Sequence, residues 1–314
     1  FRSGRTLENN VGNNNIEIGF GLSSTSKTNG LINIGKNIRA NFSTIDEKNN
    51  IIGNENLIEK SRINIGKQNT IIGSNNNVAI IKDKNTIIGV NNALPNNDNS
   101  CEENIIIGNE NGNIEADPNE LQLRTGKENI IIGTDNNTNS GDGNYVIGKN
   151  NGNSNTQDLN NNSNNKVFGD NNSAYKSSNT IIGNLNVANG TSNTMFGNSN
   201  QTSEEGASNT MLGNSNIANV ASNTIIGDSN KTPGISNFVI GEHNEISSNN
   251  SKFFGNRNKS IEDLDNVVVI GNNNIISNNK NGNSIIINNN FETHAGIKNS
   301  LVLGSVSNDK EDKT

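Results

Sequence analysis

Residues 178–200 read SNTIIGNLNVANGTSNTMFGNSN, and two residue types recur in this stretch at fixed spacings. Asparagine returns every seven residues, and a glycine that follows two apolar residues returns every fourteen. The positions are Asn179, Asn186, Asn193 and Asn200 for asparagine, and Gly183 and Gly197 for glycine. A constant short period indicates an architecture built from one small repeated unit.

The same period extends through most of the chain. Glycine occupies this position of the repeat in 17 turns, in 15 of them directly after two apolar residues, and Asn288 takes this place once, so the sequence contains about 18 turns. Between Gly183 and Gly255 four of the five spacings between successive glycines are fourteen residues, and one is sixteen. Longer spacings occur elsewhere, the longest between Gly108 and Gly133. The base period is therefore fourteen residues, and the longer turns contain insertions.

Composition narrows the class of protein. The 314 residues include 77 Asn and 41 Ile, only 29% are apolar, and the net charge is −7. So low an apolar fraction is typical of disorder, but here the apolar residues are mostly Ile at regular positions, which favours β-structure. No basic stripe is present, so nucleic acid is not an expected partner. The single cysteine, Cys101, excludes an internal disulfide framework, and no apolar run approaches the ~18 residues of a membrane helix.

Three positions of the repeat explain its period. Asparagine occupies the position four before the glycine in 13 of 18 turns and the position three after it in 14 turns. A second glycine lies seven residues before the first in seven turns. Fourteen residues thus divide into two halves, each a short strand and a corner, and glycine suits corners because it reaches φ > 0. The sequence predicts an all-β, parallel β-solenoid in which successive turns lie about 4.8 Å apart.

Asparagines at one position of every turn would stack along the solenoid axis, where their amides can hydrogen-bond to one another. Fixed spacing argues against a disordered, aggregation-prone Asn-rich tract. The predicted structural ladder comprises Asn179, Asn186, Asn193, Asn200, Asn209, Asn216, Asn223, Asn230, Asn237 and Asn244.

The two residues before the glycine are almost always apolar, and adjacent strand residues point to opposite faces of a sheet. One of the two faces must therefore fill the coil, and the other needs a cover, since strands apolar on both faces are normally covered on both. The other half-turn is polar with a small central residue such as Ala188 or Ala218, so it can close one side only. We expect self-association through the uncovered face. The sequence leaves open whether the second residue of each pair lies in the roll core or in the interface between copies. The residues at this position include Ile72, Ile88, Ile182, Phe196, Leu212, Ile226, Ile240, Phe254 and Ile270.

The segments GTSNTMFGNSN, GASNTMLGNSN, SNTIIGDSN and NSLVLGSVS resemble the head repeats of trimeric autotransporter adhesins, the YadA-like family. The resemblance implies a left-handed parallel β-roll, three copies around one axis, and display at a bacterial cell surface as an adhesin. It also implies an outer-membrane anchor through regions outside this chain. The chain departs from the family where Ile71, Ile181 and Ile225 stand at a position that is often Ala. Its Asn- and Ile-rich composition is similar to that of the CEACAM-binding members, which implies a CEACAM-type immunoglobulin domain as host receptor.

On this interpretation residues 12–307 form the β-roll head. Residues 1–11 are a lead-in, and residues 308–314 are a polar tail that leads towards a neck or stalk. The longest insertions, near 91–103, 110–127 and 150–165, map to loops, which are often binding elements of solenoids. Apolar side chains beside an arginine are typical receptor anchors, and such residues in these loops are Leu94, Leu121, Leu123 and Arg124. Alternatively, Leu121 and Leu123 belong to the strand before Gly126 and are not receptor anchors.

No pattern of catalytic, cofactor-binding or metal-ligating residues is present. His243 and His294 have no second His or Cys at ligand spacing, and no pair of carboxylates recurs at one position of the repeat. The expected function is therefore non-catalytic adhesion to a host receptor protein, with no cofactor. The alternatives are a monomeric β-solenoid that acts on or binds polysaccharide, and an ice-binding protein whose row of Thr180, Thr194, Thr210 and Thr224 contacts ice.

Overall fold

The structure is a computed structural model that describes fifteen segments of the chain. They are residues 16–20, 23–24, 32–36, 39–40, 50–55, 57–58, 68–78, 83–94, 102–111, 127–136, 141–152, 163–260, 265–276, 283–293 and 299–304. All regular structure in these segments is β-strand. Contacts divide the chain into two compact units, Phe1–Ser177 and Ser178–Thr314.

Strands of two kinds occur in both units, a longer one of three to five residues and a shorter one of two residues. They alternate except in the first unit, where the longer strands β11 to β14 follow one another. The first unit contains β1 Ile16–Phe20, β2 Ser23–Ser24, β3 Ile32–Lys36, β4 Arg39–Ala40, β5 Asn50–Asn54, β6 Leu57–Ile58, β7 Thr70–Ser74, β8 Asn77–Val78, β9 Thr86–Val90, β10 Ala93–Leu94, β11 Ile105–Asn109, β12 Ile130–Thr134, β13 Tyr145–Lys149, β14 Lys166–Asp170 and β15 Ser173–Ala174. The second contains β16 Thr180–Ile182, β17 Val187–Ala188, β18 Thr194–Phe196, β19 Gln201–Thr202, β20 Thr210–Leu212, β21 Ile217–Ala218, β22 Thr224–Ile226, β23 Lys231–Thr232, β24 Phe238–Ile240, β25 Glu245–Ile246, β26 Lys252–Phe254, β27 Lys259–Ser260, β28 Val268–Ile270, β29 Ile275–Ile276, β30 Ile285–Ile287, β31 Glu292–Thr293 and β32 Leu301–Leu303.

Every strand pairing is parallel, and it joins equivalent positions of successive turns. In the second unit Met195 pairs with Met211, and Met211 pairs with Ile225, while Ala188 pairs with Thr202 on the opposite sheet. In the first unit glycine pairs with glycine, as Gly108 does with Gly133. The predicted all-β solenoid of parallel strands is confirmed in both units.

The interior of each turn contains one large side chain from the longer strand and one side chain from the shorter strand. In the second unit the sizes of the two compensate within a turn. The fully buried pairs are Ile181 with Ala188, Met195 with Thr202, Met211 with Ala218, Ile225 with Thr232, Val239 with Ile246, Phe253 with Ser260, and Val269 with Ile276. The largest residue shares its turn with serine, and the two valines share theirs with isoleucine. Such compensation keeps the packing volume of a turn nearly constant, which close-packed interiors require.

Glycine follows the longer strand because a Cβ has no room there. In the described turns φ at this glycine lies between +118° and +147°, a range that L side chains rarely adopt. A Cβ on Gly197 would stand 1.9 Å from the carbonyl oxygen of Gly213 in the next turn. The glycine therefore permits both the corner and the close stacking of turns. Asn288 keeps the equivalent backbone hydrogen bond, from its N–H to the carbonyl of Ile270 at 3.0 Å, but with no positive φ.

The second glycine of the repeat has a different role from the predicted one. Gly190 and Gly234 have no positive φ, so a left-handed corner is not the reason for them. A Cβ on Gly190 would lie 2.2 Å from the carbonyl oxygen of Gly206, and one on Gly234 would lie 1.8 Å from that of Ser248. Close approach of successive turns accounts for these glycines.

The left-handed backbone positions are instead filled by residues other than glycine. In the described segments 29 such residues have φ between +49° and +66°, and each directly precedes one of the two positions of the asparagine ladder. Most are Asn, Ser, Asp or Glu, and short polar side chains tolerate this conformation best. This conformation turns the chain so that the next side chain enters the coil.

Candidate interaction surfaces

The asparagines that follow the glycine form a continuous buried stack in each unit. The side-chain oxygen of Asn186 accepts hydrogen bonds from the backbone N–H and the Nδ2 of Asn200, both at 3.0 Å. Asn200 Nδ2 also donates to the carbonyl of Gly213 at 2.7 Å. The same three bonds recur at Asn216, Asn230, Asn244, Asn258 and Asn274 in the second unit and at Asn92, Asn111, Asn136 and Asn151 in the first.

The asparagines that precede the longer strand form the second stack. Here the backbone N–H of Asn193 donates to Asn179 Oδ1 at 2.9 Å, and Asn209, Asn223 and Asn237 continue the series. All ten asparagines of the predicted ladder are thus buried and joined into two stacks within the second unit. Their arrangement makes them structural, since amides buried within the coil and hydrogen-bonded along a stack are not accessible to a ligand.

Two amides of this second stack lack an acceptor. The buried Nδ2 groups of Asn144 and Asn193 have no hydrogen-bond partner. In two other turns the equivalent group donates to a carbonyl three residues before the next stack member, as Asn237 does to Ser248 at 2.6 Å. Both unpartnered groups precede a lengthened turn, since the next stack member is Asn165 after Asn144 and Asn209 after Asn193. Insertions therefore displace acceptors that shorter turns supply.

The second residue of each apolar pair lies on the outer face of the longer strands. We call these side chains the outer row; in the second unit it consists of Ile182, Phe196, Leu212, Ile226, Ile240, Phe254, Ile270, Ile287 and Leu303. In the first unit its members are Ile18, Ile34, Ile52, Ile72, Ile88, Ile107, Ile132, Ile147 and Phe168. Ile182, Phe196 and Leu212 are each 40% exposed, whereas the residue before each of them is fully buried. The roll-core alternative for the nine predicted residues is therefore wrong, because the preceding residue fills the core.

A second line of side chains accompanies the outer row on the same face, two residues earlier in each strand. It begins in the second unit with Thr180, Thr194, Thr210 and Thr224, and continues with Phe238 and Lys252. Phe238 packs against Phe254 of the outer row, with ring centroids 5.8 Å apart. The threonine row thus covers four turns and is interrupted by bulky and charged residues.

The outer face of the shorter strands is mostly polar by contrast. The outward positions of successive shorter strands of the second unit are Val187, Gln201, Ile217, Lys231, Glu245, Lys259, Ile275 and Glu292, so five of the eight are polar or charged. Lys259 pairs with Glu245 at 2.9 Å, and its hydrogen bond holds the pKa of that carboxyl below its ordinary value. Charged residues that pair along a strand ladder are typical of a solvated face. The solenoid of the second unit therefore has one mostly polar face, which we call the polar face, and one apolar face.

The three long insertions start and end at the same corner of the first unit. Each begins within three residues after a member of one asparagine stack and ends before the buried asparagine that begins the next turn. The residues at either side are Leu94 and Glu102 for the first, Asn111 and Lys127 for the second, and Gly152 and Ser163 for the third. Asn92, Asn111 and Asn151 belong to one asparagine stack. The insertions therefore leave the solenoid side by side.

Of the four predicted receptor anchors, the structure describes only the backbone of Leu94, at the end of β10. Leu121, Leu123 and Arg124 lie outside the described residues, as does His294.

Ion pairs occur at the corner where the insertions begin and end. Lys84 Nζ lies 2.6 Å from Glu103 Oε1, and Lys127 Nζ lies 3.1 Å from Glu102 Oε2. A hydrogen bond to the partner carboxylate raises the pKa of each lysine above its ordinary value. All four side chains are exposed enough to water for the pairs to contribute little stability. The ion pairs instead hold these charged side chains in place beside the insertions.

Sequence reasoning missed one row of exposed side chains. The residue after the glycine is Asn184, Asn198, Asn214 or Asp228 in successive turns, and its side-chain oxygen accepts the backbone N–H of the equivalent residue one turn earlier. Asn184 donates to Asn198 at 2.9 Å, and Asn198 to Asn214 at 3.0 Å. The feature of the sequence that indicates this row is the excess of Asn and Asp immediately after the glycine. This row covers the corner with uncharged amides over three turns of the second unit.

Within the described segments no three His, Cys, Asp or Glu side chains are placed so that they could hold a metal ion. None of these segments forms a helix of the length and apolarity that a membrane span requires. A comparison of the sequence with known protein families and with characterised proteins found no match to either.

Proposed function

We propose that this chain is the head of a trimeric bacterial surface adhesin, in which three left-handed solenoids pack in parallel and the assembly binds a host receptor protein without catalysing a reaction. The outer row carries this proposal. In each unit nine apolar side chains follow one another at about 4.8 Å per strand, so the row extends for about 38 Å. A soluble monomer rarely exposes an apolar surface of that extent.

A second copy of the chain fits the outer row better than an unrelated partner does. Each unit carries such a row, so a cover for either unit must be as long as that row and periodic at the same spacing. Another solenoid of the same chain meets both requirements. In a closed symmetric assembly the outer row of every copy is then covered, and most homo-oligomers have closed symmetry. The polar face of the shorter strands remains in water.

The receptor site in this proposal lies at the corner where the long insertions begin. The turns of the second unit between Gly183 and Gly255 are nearly uniform in length, so they present no long loop that could distinguish partners. The insertions near 91–103, 110–127 and 150–165 break this uniformity in one region. Leu94, Leu121, Leu123 and Arg124 are the proposed anchors, and a CEACAM-type immunoglobulin domain with an apolar patch is the proposed receptor. Anchoring to the outer membrane belongs to regions outside this chain.

The mass of the purified chain tests the assembly. We expect mass photometry at nanomolar to micromolar concentration to show three times the 33.5 kDa of one chain. A stable species of 33.5 kDa at micromolar concentration would instead favour a monomeric solenoid.

Binding to cultured epithelial cells tests the adhesive role. We expect the wild-type chain to bind, and we expect binding to fall when the three insertions are shortened to regular turns. In the second insertion residues 110–125 are shortened, with Asn111 and Gly126 preserved so that the asparagine stack remains. If the trimer survives and binding is unchanged after all three loops are shortened, the receptor site lies elsewhere on the solenoid. If the wild-type chain binds no host cell, the adhesin proposal fails.

A further inference from the structure

Leu185 occupies a position that every other described turn gives to a polar residue. It lies two residues after Gly183, where φ is between 52° and 59° in all fifteen described turns. Asn, Ser, Asp, Glu, His or Arg fills this position in the other fourteen. Leu185 is the one apolar residue among the 29 described non-glycine residues with positive φ.

Two separate penalties fall on this side chain. A bulky residue in the left-handed region is strained, because its side chain crowds the neighbouring backbone. The side chain is also 58% exposed, so its packing within its own chain contributes little to stability. Either serine or asparagine would avoid both penalties, as at Ser199 and Asn171. Backbone strain that packing within the same chain does not offset is a feature of functional positions.

The surroundings of Leu185 within the second unit resemble the anatomy of a binding hot spot. Val187 of the same turn lies on the outer face beside it, since Ala188 points inward. The exposed side chains that follow along this corner are the neutral amides and hydroxyls of Asn184, Asn198 and Ser199. Within the second unit, the first charged side chain in the row after the glycine is Asp228, three turns further along the chain. An apolar centre within a neutral, hydrogen-bonding rim is typical of contacts that exclude water on binding.

We propose that Leu185 is an anchor for a host receptor protein, inserted into an apolar pocket of that receptor while the neighbouring amides hydrogen-bond to the pocket rim. The inference rests on the adhesin function proposed above and adds to it a receptor contact within the second unit. A protein pocket fits this corner because the anchor projects from a convex edge. A lipid headgroup or nucleic acid would need cationic side chains, and this corner has none over those three turns.

The test compares Leu185→Ser with Ile235→Ser, both in the context of the full chain. Ile235 is 43% exposed, lies in the same unit and has no positive φ, so its variant removes a similar apolar surface without relieving strain. Binding to intact epithelial cells is measured by flow cytometry, with trypsin-treated cells as a second sample. Thermal unfolding and mass photometry accompany each variant.

We expect Leu185→Ser to keep the wild-type mass, to melt about 2–4 °C higher, and to bind intact cells at least tenfold more weakly. Ile235→Ser should bind as the wild type does, and trypsin treatment should abolish binding by the wild type. Equal binding by both variants overturns the inference, while wild-type binding to intact cells leaves the adhesin proposal standing. A lower mass for Leu185→Ser would assign the corner to contact between copies, and wild-type binding that survives trypsin would assign it to a non-protein ligand; either result also overturns the inference.

Discussion

The side-chain oxygen of Asn200 accepts two hydrogen bonds from Asn216, one from the backbone N–H at 3.0 Å and one from Nδ2 at 3.1 Å. Asn200 in turn donates its own Nδ2 to Asn186 and to the carbonyl of Gly213. Each amide therefore joins three successive turns. An amide can do this because it carries a donor and an acceptor together.

Asn200→Asp should destabilise the fold severely. The substitution removes both Nδ2 donors and sets a buried carboxylate oxygen against two acceptor oxygens, Asn186 Oδ1 and the carbonyl of Gly213. An unpaired buried charge of this kind costs about 3–5 kcal/mol. The matched control is Asn198→Asp, two residues away on the exposed row where Asp228 occurs naturally, and its effect should stay within about 0.5 kcal/mol. Chemical denaturation measures the free energy of unfolding of both variants. Equal losses would show that burial of the asparagine stack is unimportant for stability.

Gly197→Ala should prevent close stacking of the turns. The new Cβ would lie 1.9 Å from the carbonyl oxygen of Gly213, at a φ of +128° that alanine rarely adopts. We expect a loss of about 4 kcal/mol or more, or no folded protein at all. The control is Gly152→Ala, because a Cβ there meets nothing within 4 Å and φ is not positive. That variant should be neutral or more stable by up to about 1 kcal/mol; a similar loss at both positions would exclude the steric explanation.

Deletion of Glu204 and Glu205 should stabilise the second unit. The turn after Asn193 is two residues longer than the base period, and Asn193 Nδ2 is buried without an acceptor. After the deletion residues 200–209 would read NQTSGASN, which has the spacing of NVANGTSN at residues 186–193. Supplying the acceptor should raise the free energy of unfolding by about 1 kcal/mol or more.

The matched deletion removes Val220 and Ala221 from a turn that already has the base period, between Asn209 and Asn223. It shortens the turn below the period of the solenoid, so both asparagine stacks lose their alignment. We expect it to destabilise the unit by about 4 kcal/mol or more. Thermal unfolding followed by circular dichroism compares the two, and a lower melting temperature for the first deletion would contradict the role assigned to the insertion.

How much the sequence reveals depends on whether a feature recurs in every turn. The spacing of Asn179, Asn186 and Asn193 predicts the parallel solenoid and the stacks, because each turn repeats the same constraint. The spacing alone could not decide which residue of a pair such as Ile181 and Ile182 enters the coil, since both are apolar and the distinction depends on where the chain turns. The αL residue at Ser178 provides that turn, and serine carries no strong signal for it. Single departures such as Leu185 become visible only once the position is known to require positive φ.

Ile226→Glu should separate the copies without unfolding the chain. Ile226 lies in the outer row and is 36% exposed in the single chain, so a carboxylate there remains solvated until copies associate. Association would then bury several like charges close together, which is strongly unfavourable. We expect a mass of 33.5 kDa with an unchanged β-sheet spectrum. Gln201→Glu, on the polar face of the shorter strands, is the control and should keep the wild-type mass; dissociation by both variants would mean that the interface is not confined to the outer row.

Lys252→Thr should strengthen the association of copies. Lys252 stands on the apolar face between Phe238 and Val268 of the adjacent strands, and no ion pair joins it to a carboxylate in the described part of the chain. In a parallel assembly the equivalent lysines would lie at the same height, so each copy adds a like charge to an interface that is otherwise apolar. Threonine occupies this position in four other turns of the second unit, at Thr180, Thr194, Thr210 and Thr224, and therefore fits the strand.

The expected gain is about 1 kcal/mol per chain, seen as a dissociation midpoint at several-fold lower concentration in mass photometry. Lys231→Thr is the control, since Lys231 lies on the polar face of the same unit and its removal should leave the dissociation midpoint unchanged. Raising the salt concentration should stabilise the wild-type assembly more than the Lys252→Thr assembly, because screening weakens repulsion only where the charges remain. A weaker assembly after Lys252→Thr would show that this lysine bonds across the interface, and that the apolar face meets a partner carrying an acceptor there.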